Sequence, residues 1–541
     1  MQPTRRLCKP ACLQTSRHSY RPILMRLAFL SAALALPALS RQLADSGKCV
    51  AEHYTGDFNS EPQTTLRLPS ASESVPSPPL ELLPLVVSGP PSNRVDLVFF
   101  SDGYLVEERD KFIRDATRLA NDISGNQTFN TVKPLMNFWG AFTPSRESGV
   151  GVGGTPKDTV FGLYRDGTEL RGVYYAAPEV AEAACTSLGT QCDYPILMGN
   201  DPLYGGLGGR FTVITPSLAN GALVLRHELG HSIIQVGEEY DGGFAYFGPN
   251  AYTDLSEPIP WQHWLTDPSS PRVERSVMPM QEYSWTLLNA SKPWSVTWES
   301  SGAYSNHLVR FSLSGVPERT DLLVELDGAD LGWVPRQNIG IDRWHYDVHR
   351  PGGLSAGQHT LSFTLLNDKR QPVAQICSAE ILEFGDESEF ESTSGHYSLY
   401  PTFSLDNTTS YRPTNEDCLM RQVTTPNFCK ACLEGLWLSL LRDVSLIDGI
   451  DESNSSDPHE TTLTLRLVPL AQFRADVVVG LAESYTVIWS QDGRTLENLT
   501  NKTQVSVPAG TYTVDVKYST SEVRSDPNNL LASQANYTVA T

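Results

Sequence analysis

Apolar and polar positions divide the chain into blocks of different texture. Val95 to Phe100 (VDLVFF) is an unbroken apolar run that stops at Ser101-Asp102-Gly103, which predicts a buried strand followed by a turn. Between Glu107 and Ile123 the positions Phe112, Ala116, Leu119, Ala120 and Ile123 recur every three or four residues, which predicts a helix with one apolar face. Strand-like segments follow at Tyr194–Met198 and Phe211–Ile214, the second preceded by the glycine-rich turn Gly205–Gly209. Residues 220–236 predict another helix, with Asn220 as its cap, Leu225, Leu229 and Ile233 on one side, and Gly237 as its terminator. From about 266 to 395 the pattern becomes alternating, as in Leu308–Leu313, Asp321–Leu326 and His359–Leu365, between Gly, Pro and Asp turns. Residues 460–541 repeat that style, and a helix is predicted at Cys432–Val444 in the non-β stretch 396–448.

The expected class is α+β. A helix-bearing domain at 93–265 is interrupted by a β-sandwich at 266–395, resumes at 396–448, and is followed by a C-terminal β-sandwich at 460–541. Residues 41–92, rich in Pro, Ser and Thr, read as a linker or propeptide. Ahead of them, Leu27–Leu39 is an apolar run too short for the about 20 residues of a membrane span. Arg21 and Arg26 precede it and small residues close it at Ala38 and Ser40, so residues 1–40 have the layout of a secretory signal peptide, with Met25 a possible start.

Composition agrees with a folded, exported chain. Among 541 residues, 40% are hydrophobic and 19% charged, which excludes a largely disordered chain. The net charge of -21 disfavours nucleic acid and anionic lipid as partners, and no long apolar stretch predicts stable membrane insertion. Seven Asn-x-Ser/Thr triplets, at Asn126, Asn289, Asn407, Asn454, Asn498, Asn501 and Asn536, are compatible with a secreted glycoprotein. Beyond the leader seven cysteines remain. Disulfides are the default for them, with Cys185 and Cys192 closing a short loop and Cys418, Cys429 and Cys432 forming a second group.

One motif carries chemistry. His227-Glu228-Leu229-Gly230-His231 is an H-E-x-x-H on the predicted helix. Residues i and i+4 share a helical face, so both histidines can reach one Zn2+, and Glu228 beside them can take a proton from water attacking a peptide carbonyl. Zinc needs a third protein ligand. Six residues after the second histidine stands Gly237, which has no side chain, so the candidates are Glu238 and Glu239; spacing leans to Glu238 and leaves Glu239 open. An acid that does not ligate would either support the ligands or stand in solvent.

The stretch H-E-L-G-H-S-I-I-Q-V-G-E-E-Y-D, together with S-N-R-V-D-L-V-F-F-S-D-G-Y, F-G-L-Y-R-D-G-T-E-L-R-G, I-P-W-Q-H-W-L and Y-R-P-T-N-E-D-C-L-M-R, resembles the IgA-peptidase family of zinc metallo-endopeptidases. The resemblance covers about 93–265 and 396–445. It implies a metzincin-like catalytic domain, peptide-bond hydrolysis and a protein or peptide substrate. It also implies a methionine beneath the metal site, with Met420 favoured over Met278, and it suggests Tyr240 or Tyr411 as a group steadying the oxyanion.

Other residues have plainer readings. Cys418, Cys429, Cys432 and His396 could hold a structural zinc, with disulfides expected instead. Cys49 could cap a latent metal site, but a disulfide or an unpaired thiol is the simpler expectation. His345 and His349 are expected on an exposed β surface. Gly205–Gly209 lacks the G-K-[ST] of a phosphate loop and could let a backbone approach an extended peptide. The function expected is a secreted zinc endopeptidase. The rival is a non-catalytic secreted binding protein built on β modules around a structural metal.

Overall fold

The computed structural model describes residues 75–540, apart from 126, 407 and 477. The expected signal peptide, Cys49, most of the 41–92 segment, Asn126 and Asn407 lie outside the described residues. The fold is mixed α+β and rich in sheet. Among the described residues no helix is long and apolar enough to cross a membrane.

A six-stranded sheet organises the first block. Its order is Glu81–Val86, Met136–Phe142, Val95–Asp102, Tyr194–Gly199, Thr212–Ile214 and Gly206–Leu207. The four middle strands run parallel, and the two edges are antiparallel to them. The central strand explains its unbroken apolar run: Leu97 and Phe99 pack into one core cluster, while Val98 and Phe100 pack into another on the opposite face. The Arg109–Gly125 helix buries Phe112, Ala116, Leu119, Ala120 and Ile123, the stripe its spacing predicts.

The linker reading of 41–92 fails at its end, because Glu81–Val86 is an edge strand of this sheet. Its Leu and Val side chains pack on the core, and Pro84 is tolerated at an edge where one N–H can go unused.

In the insertion, a five-stranded sheet (Ser276–Glu282, Thr286–Leu287, Asn306–Ser314, Trp344–Pro351, Gln375–Phe384) faces a four-stranded one (Trp294–Ser300, Leu322–Leu326, Ala329–Asp330, Gly357–Leu365) across one apolar cluster that includes Phe311, Trp333 and Phe363. The C-terminal block has a three-stranded and a four-stranded sheet, and it begins earlier than expected, with strand Ile447–Asn454 pairing Thr461–Leu467. Its core is continuous with that of the first block through the Lys430–Leu441 helix, whose Trp437 indole donates to Glu522 at 2.7 Å.

Candidate active site

The Gly221–Leu229 helix presents His227 and Glu228, but it does not run on to Val236. After Leu229 the backbone widens into a π turn over Gly230–Ile234, and Gln235, at φ 62°, ends it in the left-handed region. Gly237 is therefore not the terminator. It is glycine because a Cβ there would lie 2.3 Å from the Ala245 carbonyl oxygen. Asn220 makes no side-chain cap either: its amide donates to Asp342 Oδ2 at 3.0 Å and to the Arg343 carbonyl at 2.9 Å. The insertion thus holds the start of the helix.

Early reversal at Gln235 brings Glu238 back beneath the helix. His227 Nε2 and His231 Nε2 stand 3.2 Å apart, with Glu238 Oε2 at 3.3 Å from the first and Oε1 at 3.0 Å from the second. Each histidine faces a carbonyl through its other nitrogen: His227 Nδ1 donates to Leu419 O at 3.2 Å and His231 Nδ1 to Val236 O at 2.8 Å. Because a carbonyl only accepts, these bonds put the ring protons on Nδ1 and turn both Nε2 lone pairs toward each other and the glutamate. Such an arrangement calls for a positive charge between the groups, supplied either by an added proton or by a metal ion. Zn–N bonds of ~2.0–2.1 Å at tetrahedral angles separate two nitrogens by about 3.3–3.4 Å, so the donor set fits zinc in both type and spacing.

With no ion between them, the three groups settle their charges on one another, a proton on the imidazoles facing the carboxylate. Burial pushes the Glu238 carboxyl up, but the two imidazoles outweigh it and hold the group well below its usual range. Burial alone would depress His231, yet the Glu238 carboxylate lifts it to about 9, and His227 is raised for the same reason.

Glu228 is buried beside the edge strand Gly206–Leu207. A Cβ on Gly206 would lie 3.0 Å from Glu228 Oε1, and one on Gly208 would lie 2.8 Å from Oε2 and 3.3 Å from His231 Cδ2. The glycines let the strand lie directly on the carboxylate. His227 and Glu228 also border a cleft that Arg343, His345 and Glu380 line as well.

The segment Cys418–Arg421 closes the site from below. Leu419 supplies the carbonyl that orients His227, and Met420 is fully buried against the π turn, its sulfur 2.9 Å from where a Gly230 Cβ would be. Met278 lies instead on the Ser276–Glu282 strand of the insertion. Arg421 pins the returning loop through a 2.6 Å ion pair with Asp241 and a 3.2 Å hydrogen bond to Glu239 O.

Of the residues expected at the site, the structure brings His227, His231, Glu238 and Glu228 together and sends Glu239 elsewhere. Its carboxylate enters a buried cluster with Cys418, Cys429 and Cys432. Those three cysteines are free thiols, whereas Cys185 and Cys192 are disulfide-bonded. His396 is not part of the cluster and lies 3.9 Å from Glu274. Tyr240 lines the cleft, its ring stacked on His227 at 6.3 Å; Tyr411 does not, being paired through its backbone to Tyr252. His345 also departs from expectation. It turns into the cleft, where burial and the charges of Arg343 and Arg310 hold its imidazole well below the usual value, while His349 stays exposed. Arg343, His345 and Tyr283 were not legible as site residues, because a β pattern shows which positions face out but not which face a neighbouring domain.

The family described as IgA peptidase M64 matches residues 83–298, somewhat less than half of the chain and reaching into the insertion. No curated protein matches the chain. Among solved structures, the exo-β-1,3-galactanase of Phanerochaete chrysosporium aligns at 14% identity over 20% of this chain and 29% of that one, with a TM-score of 0.14. The exo-chitosanase of Amycolatopsis orientalis aligns at 11% identity over 46% of this chain and 25% of that one, with a TM-score of 0.13. The chain spans less than a third of the length of either, and likenesses this slight carry no argument.

Proposed function

We propose, from the membership of residues 83–298 in the IgA peptidase M64 family, that this peptidase is an exported zinc-dependent endopeptidase. The observation that carries the reading is the convergence of His227 Nε2, His231 Nε2 and the Glu238 carboxylate on one point, with Glu228 on the same helix beside the cleft. The catalytic block is read as metzincin-like, with its β insertion and C-terminal block as β-sandwiches. Export is supported by the leader-like segment 1–40.

His227, His231 and Glu238 would hold the ion. When bound, Zn2+ supplies Lewis acidity, polarising a peptide carbonyl and making water easier to deprotonate. The remaining work belongs to the chain. Glu228 takes a proton from the attacking water onto its carboxylate and returns it to the leaving nitrogen. Substrate lies extended beside the edge strand Gly206–Leu207, which offers a row of backbone groups next to Glu228. Burial and the nearby Glu238 carboxylate keep the Tyr240 hydroxyl protonated, so it can donate to the developing oxyanion.

The test is Glu228→Gln assayed on an unstructured protein such as casein. Metal content should stay at the wild-type level while kcat/KM falls by about 10²–10⁴-fold. Undiminished hydrolysis in this variant, or wild-type activity that survives phenanthroline, would assign the reaction to another catalytic group, whereas metal-loaded wild type that hydrolyses nothing would favour the non-catalytic binding reading.

A further inference from the structure

Cys418, Cys429, Cys432 and Glu239 form a second group of metal-type donors, separate from the histidine site. All four are buried, and one donor atom from each lies within 4.8 Å of the others. Cys418 Sγ and Cys432 Sγ are 3.8 Å apart, and Cys432 Sγ is 3.7 Å from Glu239 Oε1. Tetrahedral zinc with Zn–S ≈ 2.3 Å and Zn–O ≈ 2.0–2.2 Å puts two sulfurs about 3.8 Å apart and a sulfur and an oxygen about 3.5–3.7 Å apart. The spacing therefore matches coordination edges and is far longer than an S–S bond.

Two backbone features face the sulfurs. Cys429 is the N-cap of the Lys430–Leu441 helix and Cys432 sits in its first turn, where the helix dipole favours negative charge. The Cys429 backbone N–H donates to Cys418 Sγ at 3.4 Å. An independent sign of a missing partner comes from Glu239, which is fully buried. Asn250 donates to its Oε1 at 3.0 Å, but its Oε2 receives no hydrogen bond from any described residue. A buried carboxylate oxygen left this way is costly unless a proton or a cation satisfies it.

We infer that Cys418, Cys429, Cys432 and Glu239 bind a structural zinc ion, or another thiophilic divalent metal, that braces the histidine site from behind. All four coordination positions come from the protein, so this site has no opening for chemistry. Its bracing role follows from chain connectivity. Cys418 precedes Leu419 and Met420, which support His227 and the π turn, and Glu239 follows Glu238. The Glu239 N–H also donates to Met420 O at 3.0 Å. A metal joining Cys418 to Glu239 would lock these two segments together.

This inference stands independently of the peptidase reading, and the experiment separates them. The full-length protein is purified under non-reducing conditions and its metal measured by plasma mass spectrometry, for wild type, for His227→Ala with His231→Ala, and for Cys429→Ser. Two equivalents are expected in wild type and one in the double histidine variant. Cobalt-substituted protein should show thiolate-to-cobalt charge-transfer absorption that survives the double histidine change and is weakened in Cys429→Ser. If Cys429→Ser does not fold, the cobalt spectrum of the double histidine variant still decides. Absence of the thiolate band there, or a disulfide among these three cysteines in a non-reduced peptide map, overturns the second site. Loss of both metals in the double histidine variant with no thiolate band does the same. A thiolate band together with unchanged metal content in that variant keeps the second site and rejects the histidine site instead.

Discussion

Glu238 and Glu239, neighbours in the chain, send their carboxylates to opposite sides of one strand of backbone: Glu238 to the two imidazoles at 3.0 and 3.3 Å, Glu239 to the thiol cluster with Cys432 Sγ at 3.7 Å. Successive side chains of an extended segment point to opposite faces, so a Glu-Glu pair is the shortest sequence that can serve two clusters at once. Which glutamate meets the histidines, left open by spacing, is decided by the left-handed turn at Gln235.

Glu238→Gln should separate its role from that of its neighbour. The amide keeps the volume but loses the charge facing His227 and His231. Affinity of the histidine site for zinc should drop by at least about 10–100-fold, read by competition with a fluorescent chelator, while the cobalt–thiolate band persists.

Gly208→Ala tests how tightly the edge strand lies on the Glu228 carboxylate. The new methyl would meet Glu228 Oε2 at 2.8 Å, and the carboxylate must move to relieve the clash. A displacement of that size should lower kcat/KM by about 10²-fold with little change in Tm. Wild-type activity in this variant would show that Glu228 does not depend on that position.

Asp342→Ala should loosen the start of the Gly221–Leu229 helix. The Asp342 carboxylate accepts from Tyr204 N at 2.6 Å, Ser217 Oγ at 2.6 Å and Asn220 Nδ2 at 3.0 Å, all in buried or half-buried surroundings. Stranding these donors should cost about 2–3 kcal/mol of stability, measured by urea denaturation. A loss below about 0.5 kcal/mol would mean that water replaces the carboxylate.

Glu483 links the C-terminal block to acid stability. Burial raises its pKa, but hydrogen bonds from Arg474 and Tyr518 outweigh this and hold the carboxyl below its usual value. Arg474 also donates to Thr131 O at 2.6 Å in the first block. Since the folded pKa is lowered, the contribution is present above the unfolded value of about 4.3 and is lost as pH falls through the folded one. Glu483→Gln should therefore flatten the fall in stability on the acid side of pH 5, followed by urea midpoints against pH.

Much of the sheet and the H-E-x-x-H helix was legible because their signals are local. Val95–Asp102 is apolar on both faces because both faces are covered, and the i, i+4 histidines share a helical face whatever surrounds them. What escaped depended on distant chain. Asn220 looks like a cap, yet it bonds Asp342, 122 residues away. The C-x-x-C at Cys429 suggests a disulfide in an exported protein, and only the return of Glu239 beside it changes that reading. His345 occupies an ordinary strand position that borders the cleft of His227 and Glu228, distant in sequence, which no periodicity reveals. The strand at Glu81–Val86 was hidden inside a proline-rich stretch whose composition resembles a linker.

The hydrogen bond from His227 to Leu419 spans 192 residues of chain. A ribosome making this protein releases the H-E-x-x-H helix long before it reaches the carbonyl that orients its first histidine. The nascent chain therefore carries His227, His231 and Glu238 through most of its synthesis before the first histidine is oriented, and the thiol cluster cannot close until Cys432 has emerged.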